Sequence, residues 1–97
     1  MTITEEAREL MEQIDRDRLP IRVKFGALIR GRFRWFAAAG NKHAEIPKVH
    51  NHRRLSYDER MEWARSNARG LRAALDTRGE FDMAVGIFQG RKLIERV

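Results

Sequence analysis

Apolar and cationic residues alternate almost without interruption in the stretch IRVKFGALIRGRFRWFA, which runs from position 21 to position 37. All nine odd positions of this stretch carry an apolar residue or glycine, whereas five of its eight even positions carry arginine or lysine. A period of two predicts a strand, because successive side chains of a strand point to opposite faces of its sheet. A helix fits less well, since Val23 and Trp35 miss its apolar side, and Gly26 and Gly31 would each cost about 1 kcal/mol.

The same stretch is too long for one straight strand of a small domain, because a strand rises about 3.3 Å per residue. The chain therefore bends or turns back, and Arg30-Gly31-Arg32 is the natural place. A three-residue turn there sets Ile29 opposite Phe33 and collects the apolar side chains on one face, whereas a two-residue turn mixes apolar and basic side chains. The pattern therefore favours the three-residue turn and places Trp35 in the core. The reverse face then displays Arg22, Lys24, Arg34, Leu28 and Phe36.

The first of two predicted helices precedes this stretch. Thr2 and Glu5 have the spacing of a capping box, in which a hydroxyl and a carboxylate satisfy exposed amides at the start of a helix. Pro20 ends the element. Five apolar residues fall on one face at three-four spacing: Ile3, Ala7, Leu10, Met11 and Ile14. We expect this face to pack on the sheet.

The second helix has the stronger pattern. Ser56 and Glu59 form another capping box, apolar residues at three-four spacing continue to Leu75, and Gly79 stands where a C-terminal cap belongs. A second stripe on this helix includes Arg65, Arg69 and Arg72.

The remaining segments complete the fold prediction. Residues 40–55 are expected to form a loop with a short edge strand near 44–49, and the alternation after position 81 with the Gln89-Gly90 turn predicts a C-terminal hairpin. We therefore predict one α+β domain over residues 1–97, with two helices packed on one face of a small antiparallel sheet. Its order is helix, basic hairpin or bent strand, loop, long helix, hairpin. The alternative makes residues 20–39 helical, which gives three helices and a hairpin, as in winged-helix proteins.

The amino-acid composition limits the size of the core, the kinds of covalent and metal links, and the expected compartment. With 97 residues and 42% apolar residues, the chain has enough material for one modest core. It has no cysteine, which excludes disulfides and thiolate metal sites and suits a reducing cytosol. The acidic N-terminal stretch lacks the hydrophobic core of a signal peptide, and no apolar run is long enough to cross a bilayer. We expect a cytoplasmic protein with no membrane partner.

Charge is distributed unevenly along the chain. The net charge is +6, but residues 1–17 carry six acids and two bases, whereas residues 18–57 carry ten bases and one acid. Such a basic block attracts polyanions and acidic protein surfaces. The absence of acids between Arg18 and Ala44 favours a nucleic-acid partner, DNA or RNA, held by its phosphate backbone. The candidate contacts are Arg22, Lys24, Arg30, Arg32, Arg34, Phe36, Arg53, Arg54, Arg65, Arg69 and Arg72. Phe36 would stack on exposed bases.

A second hypothesis is a small adaptor or inhibitor that docks on an acidic surface of another protein. Trp63 lies at the margin of the long helix beside Asn67, and exposed tryptophans are enriched at protein interfaces. These two residues are therefore candidate protein contacts, and they also leave room for a homodimer.

Catalysis finds little support in the sequence. Ser56 is expected to cap a helix, and neither a phosphate-binding glycine loop nor a paired-carboxylate motif is present. The histidines His43, His50 and His52 suggest a third hypothesis, a metal-dependent nuclease. Their arginine neighbours would repel a cation, and thiolate ligands are absent. We therefore predict a non-enzymatic protein with no cofactor and no metal site.

Overall fold

The computed structural model describes residues 4–37, 45–80 and 82–97. The predicted helix-cap residue Thr2, the predicted core residue Ile3 and His43 lie outside these residues. The described residues confirm the α+β class and the strand interpretation of residues 21–37, and the alternative with a helix there is wrong. The elements are α1 (Glu5–Arg18), β1 (Ile21–Ile29), β2 (Arg32–Ala37), β3 (Val49–His50), β4 (Arg53–Arg54), α2 (Tyr57–Thr77), β5 (Ala84–Gln89) and β6 (Lys92–Arg96).

Four strands form an antiparallel sheet in the order β2-β1-β5-β6, and β3 and β4 form a separate small hairpin. The core lies between α2 and the two central strands, where the odd positions of β1 and β5 meet the apolar stripe of α2. Its buried residues include Ile21, Val23, Val85 and Ile87 from the sheet and Met61, Ala64, Ala68 and Leu75 from α2. We call this side of the sheet the helix-side face and the opposite side the open face.

The local signals predicted α2 correctly. Ser56 caps the helix, its hydroxyl accepts a hydrogen bond from the Glu59 amide, and the Glu59 carboxylate accepts one from the Ser56 amide. Gly79 follows the helix with a φ of 76°, a conformation that favours glycine. The C-terminal hairpin is also confirmed, with β5 and β6 joined through Gly90. Neither described helix is long and apolar enough to span a membrane.

The turn between β1 and β2 differs from the prediction. It has two residues, Arg30 and Gly31, with φ values of 52° and 78°, and Ile29 pairs with Arg32 rather than Phe33. Positive φ at both positions gives the turn a twist that matches the twist of the flanking strands. As a result, Trp35 pairs with Gly26 on the open face instead of lying under the helix.

The first helix also departs from the prediction. It is capped by Thr4, whose hydroxyl accepts a hydrogen bond from the Ala7 amide at 3.2 Å. Three of its five expected core residues, Leu10, Met11 and Ile14, are 60%, 56% and 43% exposed, whereas Ala7 is half-buried. The pattern of a helix identifies its apolar side, but it does not show whether another element is placed to cover that side.

Basic side chains from later elements hold the C-terminal end of α1. The buried guanidinium group of Arg60 donates to the carbonyl oxygens of Arg16 and Leu19 at 3.0 and 3.1 Å. The Lys48 ammonium donates to the Arg18 carbonyl oxygen at 3.0 Å. Cations are favourable here because the last carbonyl groups of a helix carry partial negative charge.

The two-residue turn gives a stability prediction. Replacing Arg30 by asparagine should raise the free energy of unfolding by about 0.5–1 kcal/mol, because Asn-Gly adopts positive φ at both positions more readily. Urea unfolding would measure the change. The matched control is Arg34→Asn on β2, where asparagine is a poor strand residue and the free energy should fall. A decrease for both variants would contradict the role of the turn conformation.

Candidate nucleic-acid interface

The observed register distributes the cations of the β1–β2 hairpin over both sheet faces. Residues that pair directly across antiparallel strands share a face, so Arg32 opposite Ile29 and Arg34 opposite Ala27 lie on the helix-side face. Arg22 and Lys24 lie on the open face, as predicted. Arg34 was expected on that face and lies on the other one, because the turn is one residue shorter.

Three arginines converge at the hairpin tip, which we define as residues 28–34. Arg30, Arg32 and Arg34 are exposed and line one shallow depression with Ile29. The long helix does not cover this end of the sheet, since Ile29 is 42% exposed. None of the three guanidinium groups pairs with a carboxylate among the described residues. The hairpin tip is therefore a site of uncompensated positive charge.

The open face carries an aromatic cluster that was not predicted from the sequence. Trp35 contacts Phe33 and Phe88 edge to face, with ring centroids 5.2 and 5.0 Å apart. Room for the indole ring comes from Gly26 and Gly86, where an added Cβ would lie within 3.1 Å of it. Glycines inside strands mark such close approaches, and this signal was available in the sequence.

Two cations border this cluster. The Lys24 ammonium lies 4.6 Å from the ring centroid of Phe88, and the Arg96 guanidinium lies 6.0 Å from that of Trp35. Cations over aromatic faces are attracted by the ring quadrupole. Arg96 was absent from the predicted site. Phe36, predicted to stack on bases, instead stacks on Phe25 on the helix-side face, with centroids 5.5 Å apart.

Four of the predicted contacts are engaged by the protein's own acceptors. Arg53 binds both carboxylate oxygens of Glu59 at 2.8 and 2.5 Å. Arg65 pairs with Glu95 at 2.9 Å, and Arg22 lies 3.6 Å from the Glu45 carboxylate. Arg72 binds its acceptors across the end of α2: the Asp76 carboxylate and the carbonyl oxygens of Glu80 and Met83.

Two further predicted contacts, Arg54 on β4 and Arg69 on α2, are exposed and have no ion pair among the described residues. They belong to elements other than the hairpin. The structure therefore brings together only part of the predicted set in one place, namely Arg30, Arg32 and Arg34.

The predicted protein contacts and the histidines lie elsewhere. Trp63 is half-buried against the core and meets the His50 ring edge to face at 4.8 Å, whereas Asn67 is exposed. His52 occupies the β3–β4 turn with a φ of 61°. The described part of the chain contains no cluster of three histidine or carboxylate side chains able to hold a metal ion.

The pair between Arg53 and Glu59 makes stability depend on pH. The guanidinium hydrogen bond, followed by that from the Ser56 amide, lowers the pKa of Glu59 from 4.5 to about 2. A lowered pKa means that the folded state favours the ionised carboxylate, so this contribution is present above pH 4.5 and is lost as the pH falls towards 2. Thermal unfolding across this range should show a smaller acid-induced loss in Glu59→Gln than in the wild type. Equal losses would contradict this role of Glu59.

Comparison of the chain with protein-family models, with curated protein sequences and with solved structures gives no match. The charge, exposure and geometry of the hairpin tip and its surroundings are therefore the observations that indicate a function.

Proposed function

We propose that this protein is a non-enzymatic nucleic-acid-binding protein that contacts the phosphate backbone through the tip of its β1–β2 hairpin. The observation that carries the proposal is the group of three exposed arginines, Arg30, Arg32 and Arg34, which have no carboxylate partner among the described residues. A guanidinium group offers several N–H donors in a fixed fork that suits phosphate oxygens.

The placement of these arginines suits an extended polyanion. Arg32 and Arg34 lie two residues apart on one strand, so their Cα atoms are separated by roughly 6.6 Å on the same face. Arg30 adds a third cation at the turn. A two-stranded β-ribbon fits the major groove of duplex DNA, and exposed aromatic rings stack on unpaired bases. Phe33, which is 47% exposed, offers such a ring on the opposite face of the same strand.

The test is a fluorescence-polarisation titration with mixed-sequence duplex DNA, single-stranded DNA and RNA at several salt concentrations. Three phosphate contacts predict that the logarithm of the association constant falls with the logarithm of the salt concentration, with a slope of about −2 to −3. Comparison of the three probes identifies the preferred nucleic acid. Absence of binding to all three at about 50 mM salt, or binding without salt dependence, would reject the proposal.

One observation favours the second candidate function, a small adaptor or inhibitor that docks on an acidic protein surface. Leu28, Ile29 and Phe33 at the hairpin tip are 69%, 42% and 47% exposed. Apolar side chains of this size gain more from burial against a protein than from contact with phosphates. Recovery of one stoichiometric protein partner from nuclease-treated extract, lost in a Leu28→Gln variant, would favour this function over the first.

A further inference from the structure

Aromatic rings and cations lie together on the open face of the sheet. Trp35 and Phe33 of β2 contact each other there edge to face, with ring centroids 5.2 Å apart. Lys24 of β1 and Arg96 of β6 lie on the same face, since both pair with Gly86 of β5 between them. A partner that approaches this side of the sheet therefore meets rings and cations at once.

Cross-strand pairing sets the rings and the cations in neighbouring rows. Trp35 pairs with Gly26 in one row. In the next row, Lys24 and Arg96 stand on either side of Gly86. The two rows are roughly 6.6 Å apart along the strands, and the Cα atoms of the two cations are roughly 10 Å apart across them. The indole reaches the second row, because two of its atoms lie 3.0 and 3.1 Å from where a Cβ of Gly86 would stand.

The two rings of β2 are accessible to a partner. Phe33 is 47% exposed and Trp35 is half-buried. Leu28 pairs directly with Phe33, which places it on the same face, and it is 69% exposed. Large exposed apolar side chains that share one face mark a binding surface. The end of the open face near the hairpin tip therefore offers apolar surface and an aromatic ring.

The strands give this face a positive charge. Among the four strands only β6 carries an acid, and this residue, Glu95, is bound by an arginine of α2 on the other side of the sheet. Arg22, at the end away from the hairpin tip, pairs with Glu45 at 3.6 Å. Lys24 and Arg96 have no ion pair among the described residues. These two cations favour a partner with negative charge.

The width of the sheet favours a single strand over a duplex. Four strands spaced about 4.8 Å apart span roughly 14 Å before side chains are added. The major groove of duplex DNA is about 12 Å wide and admits a two-stranded ribbon, and a duplex shows only the edges of its bases there. In a single strand, the faces of the bases are free to stack on aromatic side chains.

We propose that the open face binds single-stranded nucleic acid, with unpaired bases stacked on Phe33 and Trp35 and phosphates held by Lys24 and Arg96. This inference rests on the proposed function and names its substrate class. Every base has a face that stacks and every nucleotide carries a phosphate, so neighbouring rows of rings and cations suit a strand of any sequence. An acidic peptide offers the charge but not the stacking faces.

The open face and the hairpin tip act on different parts of the nucleic acid. Arg32 and Arg34 lie on the helix-side face, and their proposed ligands are phosphates, which single strands and duplexes both carry. Phe33 lies on the opposite face of the same strand, where unpaired bases can stack on its ring. Loss of one surface is therefore distinguishable from loss of the other.

A strand without bases tests the proposal in the unchanged protein. Fluorescence polarisation at about 0.1 M salt compares single-stranded DNA and RNA of mixed sequence, duplex DNA and an abasic DNA strand, all of the same length. The abasic strand keeps the phosphates and lacks the stacking faces. One stacked base contributes about tenfold in affinity, so the better single strand should bind at least about tenfold more tightly than the abasic strand and the duplex.

Removal of one ring gives the matching variant. Phe33→Leu keeps an apolar side chain on β2 and should weaken single-strand binding about tenfold, while the affinities for duplex and abasic strand stay within about twofold. The salt slope should not change, because no phosphate contact is lost. Phe33→Tyr retains a ring and should restore the affinity. Circular dichroism checks that both variants are folded.

Three results would overturn the proposal: equal affinity for the abasic strand and the single strands, unchanged single-strand affinity in Phe33→Leu, or displacement of the single strand by poly-glutamate at equal charge concentration. The last result would indicate an acidic protein partner. If the duplex still binds with the expected salt dependence, only this inference fails and the proposed function stands. Absence of binding to every probe would reject both together.

Discussion

Replacing Arg30 by asparagine and Arg32 by glutamine is expected to weaken nucleic-acid binding on the order of 50- to 100-fold at about 0.1 M salt. Each phosphate contact contributes close to one unit of the salt slope, which corresponds to about eightfold in affinity at that salt concentration. The slope of the salt titration should therefore become shallower by about 2. The same polarisation assay measures both the affinity and the slope.

The matched control for this variant is Arg53→Gln with Arg65→Gln. It removes the same formal charge, but from guanidinium groups that already bind Glu59 and Glu95. Because these cations are paired within the protein, their loss should change the affinity only a few-fold. If the two double variants bind equally weakly, binding follows net charge alone and the hairpin tip is not the site.

A fold defect would not explain the expected loss. Asparagine at position 30 suits the observed turn, where residue 30 has a φ of 52°. Arg32 is exposed and has no ion pair among the described residues. A loss of affinity in a protein that is at least as stable as the wild type would assign the effect to the missing guanidinium groups.

Local patterns predicted the elements of this fold, because the forces that form them act over a few residues. Alternation identified β1 and β2, and the capping box at Ser56 and Glu59 placed the start of α2 correctly. The predicted register of the basic hairpin was wrong because the alternation favoured the turn that keeps all apolar odd positions, Trp35 included, on one face. Gly26 and Gly86 instead make room for Trp35 on the open face, which allows the two-residue turn.

Only part of the candidate site was predicted from the sequence, because the rest depends on contacts between distant segments. An arginine-rich stretch is visible in the sequence, and Arg30, Arg32 and Arg34 follow from it directly. Whether a cation is paired with a carboxylate depends on contacts between distant segments. Arg65 and Glu95, for example, lie 30 residues apart in the chain. No local pattern shows which guanidinium groups are paired in this way. The prediction from the sequence therefore included cations that the protein's own acceptors already bind.

Replacing Arg60 by methionine is expected to lower the free energy of unfolding by about 2–4 kcal/mol. Arg60 is 2% exposed, and its guanidinium group donates to carbonyl oxygens of Arg16 and Leu19, more than 40 residues away in the chain. Methionine retains the apolar stem but not the donors, so both carbonyl groups lose a charged hydrogen-bond partner. Urea unfolding measures the loss.

The loss should be concentrated in α1, because Arg60 is a main connection between that helix and the rest of the described structure. Hydrogen exchange should show faster exchange of the α1 amides, with little change in β1 and β5. Arg69→Met is the matched control, since Arg69 lies on the same helix, is exposed and has no ion pair among the described residues. It should change the free energy of unfolding by less than about 0.5 kcal/mol. Equal stability of the two variants, or a loss in Arg60→Met that leaves exchange in α1 unchanged, would show that Arg60 does not hold this helix in place.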